Sequence, residues 1–174
     1  MKKLPALCLI ALTFTSLGGC GYGLVGRTSS LPEDVRAVHV APLVNRTTRT
    51  QVDQILTAAI SSEFVRRQRY EVVASRSQAD AVLVGTVTVF RVRPVAFGQG
   101  SRATEYEVYI GAQMEFVRTD GSDEVLWRQP NYQFRETYEA DVSETDFFSR
   151  EDAAIELVAG KFAQSLVIDI LEGF

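Results

Sequence analysis

Over residues 52–69, apolar side chains recur at Val52, Ile55, Leu56, Ala59, Ile60 and Phe64, the three-and-four spacing that lays one buried stripe along a helix. A second stripe, Ile155, Val158, Ala159, Phe162, Leu166 and Ile170, predicts a helix over 149–171, and Val167, Ile168 and Leu171 widen it near its end. Apolar width of that kind suits a deeper core or a partner. Ser149 and Asp152, three residues apart, resemble a capping box at its start. Between the helices the period changes to two. Tyr106, Val108, Ile110, Ala112, Met114 and Phe116 alternate with mostly polar neighbours, so one face of that strand is core and the other wet. Residues 81–90 form a β-branched run apolar on both faces, which predicts a central strand. Its continuation, Arg91-Val92-Arg93-Pro94, puts two arginines on one face. Residues 35–41, 70–73, 125–128 and 132–138 read as further extended pieces, the last two interrupted by Pro130. Thr119-Asp120-Gly121-Ser122 is an Asp-Gly turn, residues 97–102 a hairpin tip, and 139–144 an acidic loop. The order of elements predicts an α+β two-layer sandwich, with two helices packed on one face of a roughly four-stranded mixed sheet.

The first residues follow a different logic. Lys2 and Lys3 precede an apolar run at 4–16 that is shorter than the roughly 20 residues a membrane-spanning helix needs. Such a run behind positive charge, closed by small residues, reads as a secretory leader. Leu17-Gly18-Gly19-Cys20 resembles the lipobox of bacterial lipoproteins. The resemblance implies cleavage after residue 19, an S-diacylglycerol and an N-acyl chain on Cys20, and Gly21 is compatible with delivery to the outer membrane. Two or more acyl chains give stable anchoring without a spanning segment. The expected organisation is a leader at 1–19, a lipidated Gly/Ser-rich tether at 20–33, and one domain at 34–174. Cys8 leaves with the leader, so Cys20 has no disulfide partner.

Charge and composition then narrow the function. The net charge is −4, and loss of Lys2 and Lys3 makes it two units more negative, so no global basic field attracts nucleic acid. Lys161 is then the only lysine, and arginine supplies the other cations; its planar fork suits bidentate phosphate contacts. Arg66, Arg67 and Arg69 crowd the end of the first helix, where the helix dipole favours cations. Catalytic constellations are not evident. His39 is the single histidine and reads as a half-buried strand residue, and no metal-ligand set accompanies it. Gly98 and Gly100 do not complete a phosphate-cradling loop. Glu105, Glu107, Asp123 and Glu124 sit where solvated strand and turn charges sit. The chain reads as a non-enzyme, with no metal and no cofactor beyond the lipid on Cys20.

Taken in order, Cys20-Gly21-Tyr22-Gly23-Leu24, Leu31-Pro32, Asn45 before the first helix, Ala79-Asp80-Ala81-Val82-Leu83-Val84-Gly85, Tyr106, Arg135-Glu136-Thr137-Tyr138 and the closing helix resemble the LptE-type lipopolysaccharide-assembly lipoproteins. That resemblance implies a lipoprotein on the periplasmic face of the outer membrane. It would plug and help fold an LptD-type β-barrel and contact lipopolysaccharide on its way to the outer leaflet. Arg91, Arg93 and Arg102, brought together by the predicted hairpin, are the candidate partners of lipid A or core phosphates; solvation of the hairpin end or contact with acidic barrel loops is the other role open to them. The strand, helix and Ala-Asp-Ala-Val-Leu-Val-Gly order also resembles TolB-like and curli-secretion lipoproteins. The alternative is therefore an envelope secretion or assembly lipoprotein without lipopolysaccharide binding.

Overall fold

The computed structural model describes residues 31–99, 103–139 and 147–173, the last segment with side chains from Ile155 onward. Cys20, most of the tether and Arg102 lie outside these residues. The elements are β1 (Ala37–Val40), β2 (Val44–Asn45), α1 (Val52–Arg66), β3 (Glu71–Val72), β4 (Ala81–Phe97), β5 (Ala103–Arg118), β6 (Val125–Glu139) and α2 (Phe147–Glu172). A short 3₁₀ turn at Arg76–Gln78 occupies the expected break before β4.

The sheet is mixed and open, ordered β3-β1-β4-β5-β6, with β2 pairing β4. β1 runs parallel to β3 and β4, which a crossover through α1 requires, whereas β4, β5 and β6 form an antiparallel meander. The expected α+β sandwich is therefore present, with β2 added as a two-residue piece and the extended piece expected at 70–73 reduced to the two-residue β3. At about 3.3 Å per residue the 17-residue β4 is up to roughly 55 Å long.

Both helices cover one face of this sheet. Val52, Leu56, Ile60 and Phe64 of α1 and Val158, Phe162, Leu166 and Ile170 of α2 are fully buried against Leu83, Val87, Ile110, Met114 and Phe116. Each such side chain contributes about 1.5–3 kcal/mol relative to remaining exposed. Phe64 stacks on Phe116 at 6.2 Å, and Phe162 takes Tyr132 and Phe134 edge-on at 5.5 and 5.7 Å. The apolar widening of α2 goes into this core at Val167, fully buried, and at Leu171, packed against its margin. No helix among the described residues is long and apolar enough to cross a membrane.

Two expected boundaries shift. α2 starts at Phe147, so Ser149 lies inside its first turn rather than at a cap. β6 continues through Pro130, because this strand forms the sheet edge and has an outward side where a missing N–H breaks no ladder bond. The pairing with β5 shifts register there, between Ala112 and Met114. At the opposite end of the long strands, Arg118 holds Asp34 at 2.5 Å and Glu124 at 3.0 Å, tying the start of the domain to the β5–β6 turn.

Candidate functional site

The sheet face away from the helices is where the two candidate arginines lie, and a β-bulge puts them there. Val87 pairs with Ala112 and Val89 with Gly111, leaving Thr88 as the extra residue. Before the bulge, odd-numbered residues of β4 such as Leu83 and Val87 face the core; after it, Phe90 and Val92 do. The inserted residue therefore turns Arg91 and Arg93 outward. Thr88 Oγ1 donates to the Gly111 carbonyl at 3.1 Å, and a Cβ on Gly111 would lie 3.2 Å from that of Val89, so the crossing is close.

Across the open face the register sets Arg91 beside Tyr109 and Tyr109 beside Arg135, and in the next row Arg93 beside Glu107. Together with Val89 and Gln133 these residues line a shallow depression of about 390 Å³. Glu107 is its centre. Arg93 Nε donates to Glu107 Oε1 at 2.8 Å, and Arg135 Nε lies 3.6 Å from Oε2. Arg135 also sits over the Tyr109 ring, 5.7 Å from its centroid. Glu107 is only 13% exposed, while Arg93 and Arg135 keep 66% and 63% of their side chains in water. Arg91 is exposed and makes no hydrogen bond or ion pair with a described residue. Three guanidinium groups against one carboxylate leave the depression net positive in a chain that is net negative. The arrangement can bind an anion with several acceptor oxygens.

Arg91 and Arg93 thus share a face, but they lie along β4 rather than on its turn, because the strand runs on to Phe97. In the sequence Glu107 has the pattern of a solvated strand acid, and Arg135 stands out only within a family run. Their convergence depends on cross-strand register, which one sequence does not carry. Beyond the arginines the hairpin exposes Val95 and Phe97, the latter by 62%.

Other candidate groups have structural partners. His39 Nδ1 meets the Val73 carbonyl at 3.0 Å. Arg66 and Arg67 both hold the buried Glu63, and Arg69 lies over Tyr70. Among the described residues no group of His, Cys, Asp and Glu is arranged to hold a metal ion. The Asp80 carboxylate accepts the Ala37 and Arg36 amides at 2.8 and 2.9 Å, which pulls its pKa below the ordinary value and fastens the start of β4 to β1.

The family model for LptE, lipopolysaccharide-assembly, matches residues 35–170. Among curated proteins no sequence matches. Solved structures share the fold. A hypothetical protein of Chlamydia trachomatis aligns with TM-score 0.54 at 8% identity, covering 80% of this chain and 97% of its own. A Xanthomonas campestris protein aligns with TM-score 0.54 at 14% identity, covering 85% and 89%. A Caulobacter crescentus protein described as a lipoprotein aligns with TM-score 0.50 at 14% identity, covering 75% and 86%.

Proposed function

The chain belongs to the LptE family of lipopolysaccharide-assembly proteins, and on that premise we propose that it is a lipoprotein of the outer membrane, anchored at its periplasmic face through acyl chains on Cys20. In this reading it occupies and helps assemble an LptD-type β-barrel and assists lipopolysaccharide on its way to the outer leaflet. Its work is assembly and binding, not catalysis. The observation that carries the proposal is the family match across the whole sandwich, residues 35–170.

Lipopolysaccharide phosphates are met by Arg91 and Arg93, joined by Arg135 of β6 and by Arg102, which lies outside the described residues. The net positive depression supports this reading, since phosphate oxygens suit guanidinium forks. The exposed Val95 and Phe97 supply an apolar neighbour of the kind an acylated ligand uses.

The test is a mild-detergent purification of the C-terminally tagged protein from its own outer membrane, with mass spectrometry of what stays bound at high salt. One large β-barrel in near-equal amount is the expected result. Recovery of copies of itself, or of a secretion complex without that barrel, overturns the proposal in favour of a TolB-like or curli-secretion-like assembly role.

A further inference from the structure

The centre of the arginine platform is occupied by an anion of the protein's own. We propose that Glu107 is a resident competitor for the ligand's phosphate, which keeps the platform a site of passage instead of a trap; the inference rests on the anion-binding reading above. The geometry divides the three arginines into two kinds. Arg91 has no described partner, whereas the Arg93 and Arg135 head groups converge on one carboxylate at 2.8 and 3.6 Å. Glu107 is largely covered, at 13% exposure, by side chains that themselves stand mostly in water.

An incoming phosphate therefore meets Arg91 first, at the unpaired corner. It gains Arg93 and Arg135 only by displacing, or sharing their donors with, the Glu107 carboxylate. Each oxygen of Glu107 faces a different arginine, so the carboxylate imitates the bridging geometry of the ligand it excludes. Binding is then stepped, and the last step is reversible because the displaced carboxylate returns as the ligand departs. A platform without this group would hold polyanions more tightly and release them more slowly. For a protein that hands its ligand onward, slow release is a defect.

The experiment compares the whole purified protein, in complex with its barrel where the two co-purify, with Glu107→Gln and with the combined Arg91→Gln, Arg93→Gln, Arg135→Gln variant. The probes are fluorescent lipopolysaccharide in dodecyl maltoside and inorganic pyrophosphate as a lipid-free competitor. Glu107→Gln keeps the size and an acceptor oxygen while removing the charge. It is expected to tighten probe binding about fivefold, the factor one unit charge about 4 Å away makes in water, chiefly through slower dissociation, and to make pyrophosphate a stronger competitor. The combined arginine variant is expected to lose binding. If that variant loses binding while Glu107→Gln binds no more tightly, the competitor role is overturned and the anion platform stands. If the arginine variant binds normally, the platform itself is overturned, and this inference with it. Should Glu107→Gln not fold, Glu107→Thr, a good strand residue, gives the same comparison.

Discussion

The Tyr132 hydroxyl donates to Ser165 Oγ at 2.9 Å, joining edge strand β6 to helix α2 inside the aromatic cluster around Phe162. Burial is the main cause that pushes the Tyr132 pKa up to about 12. A group whose pKa rises on folding contributes fully below its unfolded value, here 10.0, and loses that contribution as pH climbs through the folded value. Tyr132→Phe is expected to cost about 1 kcal/mol at neutral pH, because the partners of the hydroxyl, Ser165 and Asp169, still reach water. That cost should shrink between about pH 10 and 12, since Phe has nothing to ionise. Chemical denaturation of both proteins at stepped pH reads it directly; a cost that persists unchanged to pH 12 contradicts the buried phenol. Tyr132→Ala, which empties the ring's site, should cost about 3–5 kcal/mol at every pH.

Asp80 and Asp169 make opposite pH signatures. Backbone amides of Ala37 and Arg36 lower the Asp80 pKa, so its stabilising contribution exists above the unfolded value of 3.8 and is lost as pH falls through the lower folded value. Burial raises the Asp169 pKa, with the Glu172 charge adding to it, so that group favours folding below 3.8 and loses this as pH rises through its folded value. At pH 7, Asp80→Asn should lower the melting temperature, at a cost of about 1 kcal/mol given its exposure. Asp169→Asn should raise it. Both differences should fade toward pH 3, and melts at the two pH values test the pair of signs together.

Asn45 uses both ends of its amide. Its Oδ1 accepts Thr47 N and Oγ1 at 2.9 and 2.8 Å, while Nδ2 donates to the Arg49 carbonyl at 2.8 Å and to Asp53 Oδ1 at 3.3 Å. These bonds shape the loop into α1, whose N-cap residue Gln51 is left-handed, φ 64°, and makes no side-chain cap. Asn45→Ala should therefore destabilise by about 1–2 kcal/mol, the size of a lost helix cap. Asn45→Asp keeps the acceptors but turns a carboxylate toward Asp53, and should be at least as costly at neutral pH and milder in acid. A urea midpoint for each variant is the measurement, and a neutral Asn45→Ala would refute the anchoring role.

The helices and long strands were readable because their apolar periods extend over many residues; the stripe Val52, Leu56, Ile60, Phe64 can face only one core. β2 was not, since two residues carry no period and pair as a strand only because β4 lies alongside; the two residues of β3 fall within the extended piece expected at 70–73. Pro130 read as a break because a sequence does not announce which strand is an edge. The site was half legible. Arg91 and Arg93 announced a shared face by their spacing, whereas Glu107 and Arg135 join them through strand register and through one bulge. Gly85 is a similar case: a Cβ there would overlap the Met114 side chain and reach 3.0 Å from Leu43 Cδ2, a packing reason with no local signature.

That bulge decides which side of the sheet the arginines occupy, and deletions at Thr88 and Val89 test it. Deleting Thr88 alone removes the bulge and restores plain alternation, with Val87 inward, Val89 outward and Phe90 inward, so every later side chain keeps its face. Deleting Thr88 and Val89 together moves every later side chain of β4 to the other face. The double deletion would send Phe90 and Val92 to solvent and Arg91 and Arg93 against the core formed by Ile110 and Val108. Two unpaired guanidinium groups in an apolar core cost several kcal/mol each, comparable with the entire stability of a domain, about 5–15 kcal/mol. The double-deletion variant is expected to lose cooperative unfolding altogether, and the Thr88 deletion to fold with both arginines still outward. Thr88→Val keeps the extra residue and removes only the hydroxyl bond to Gly111, so it should fold with a loss of about 1 kcal/mol and keep ligand binding. A double-deletion variant that melts cooperatively near the parent temperature would mean that β4 can slide in register, and that the outward placement of Arg91 and Arg93 has another cause.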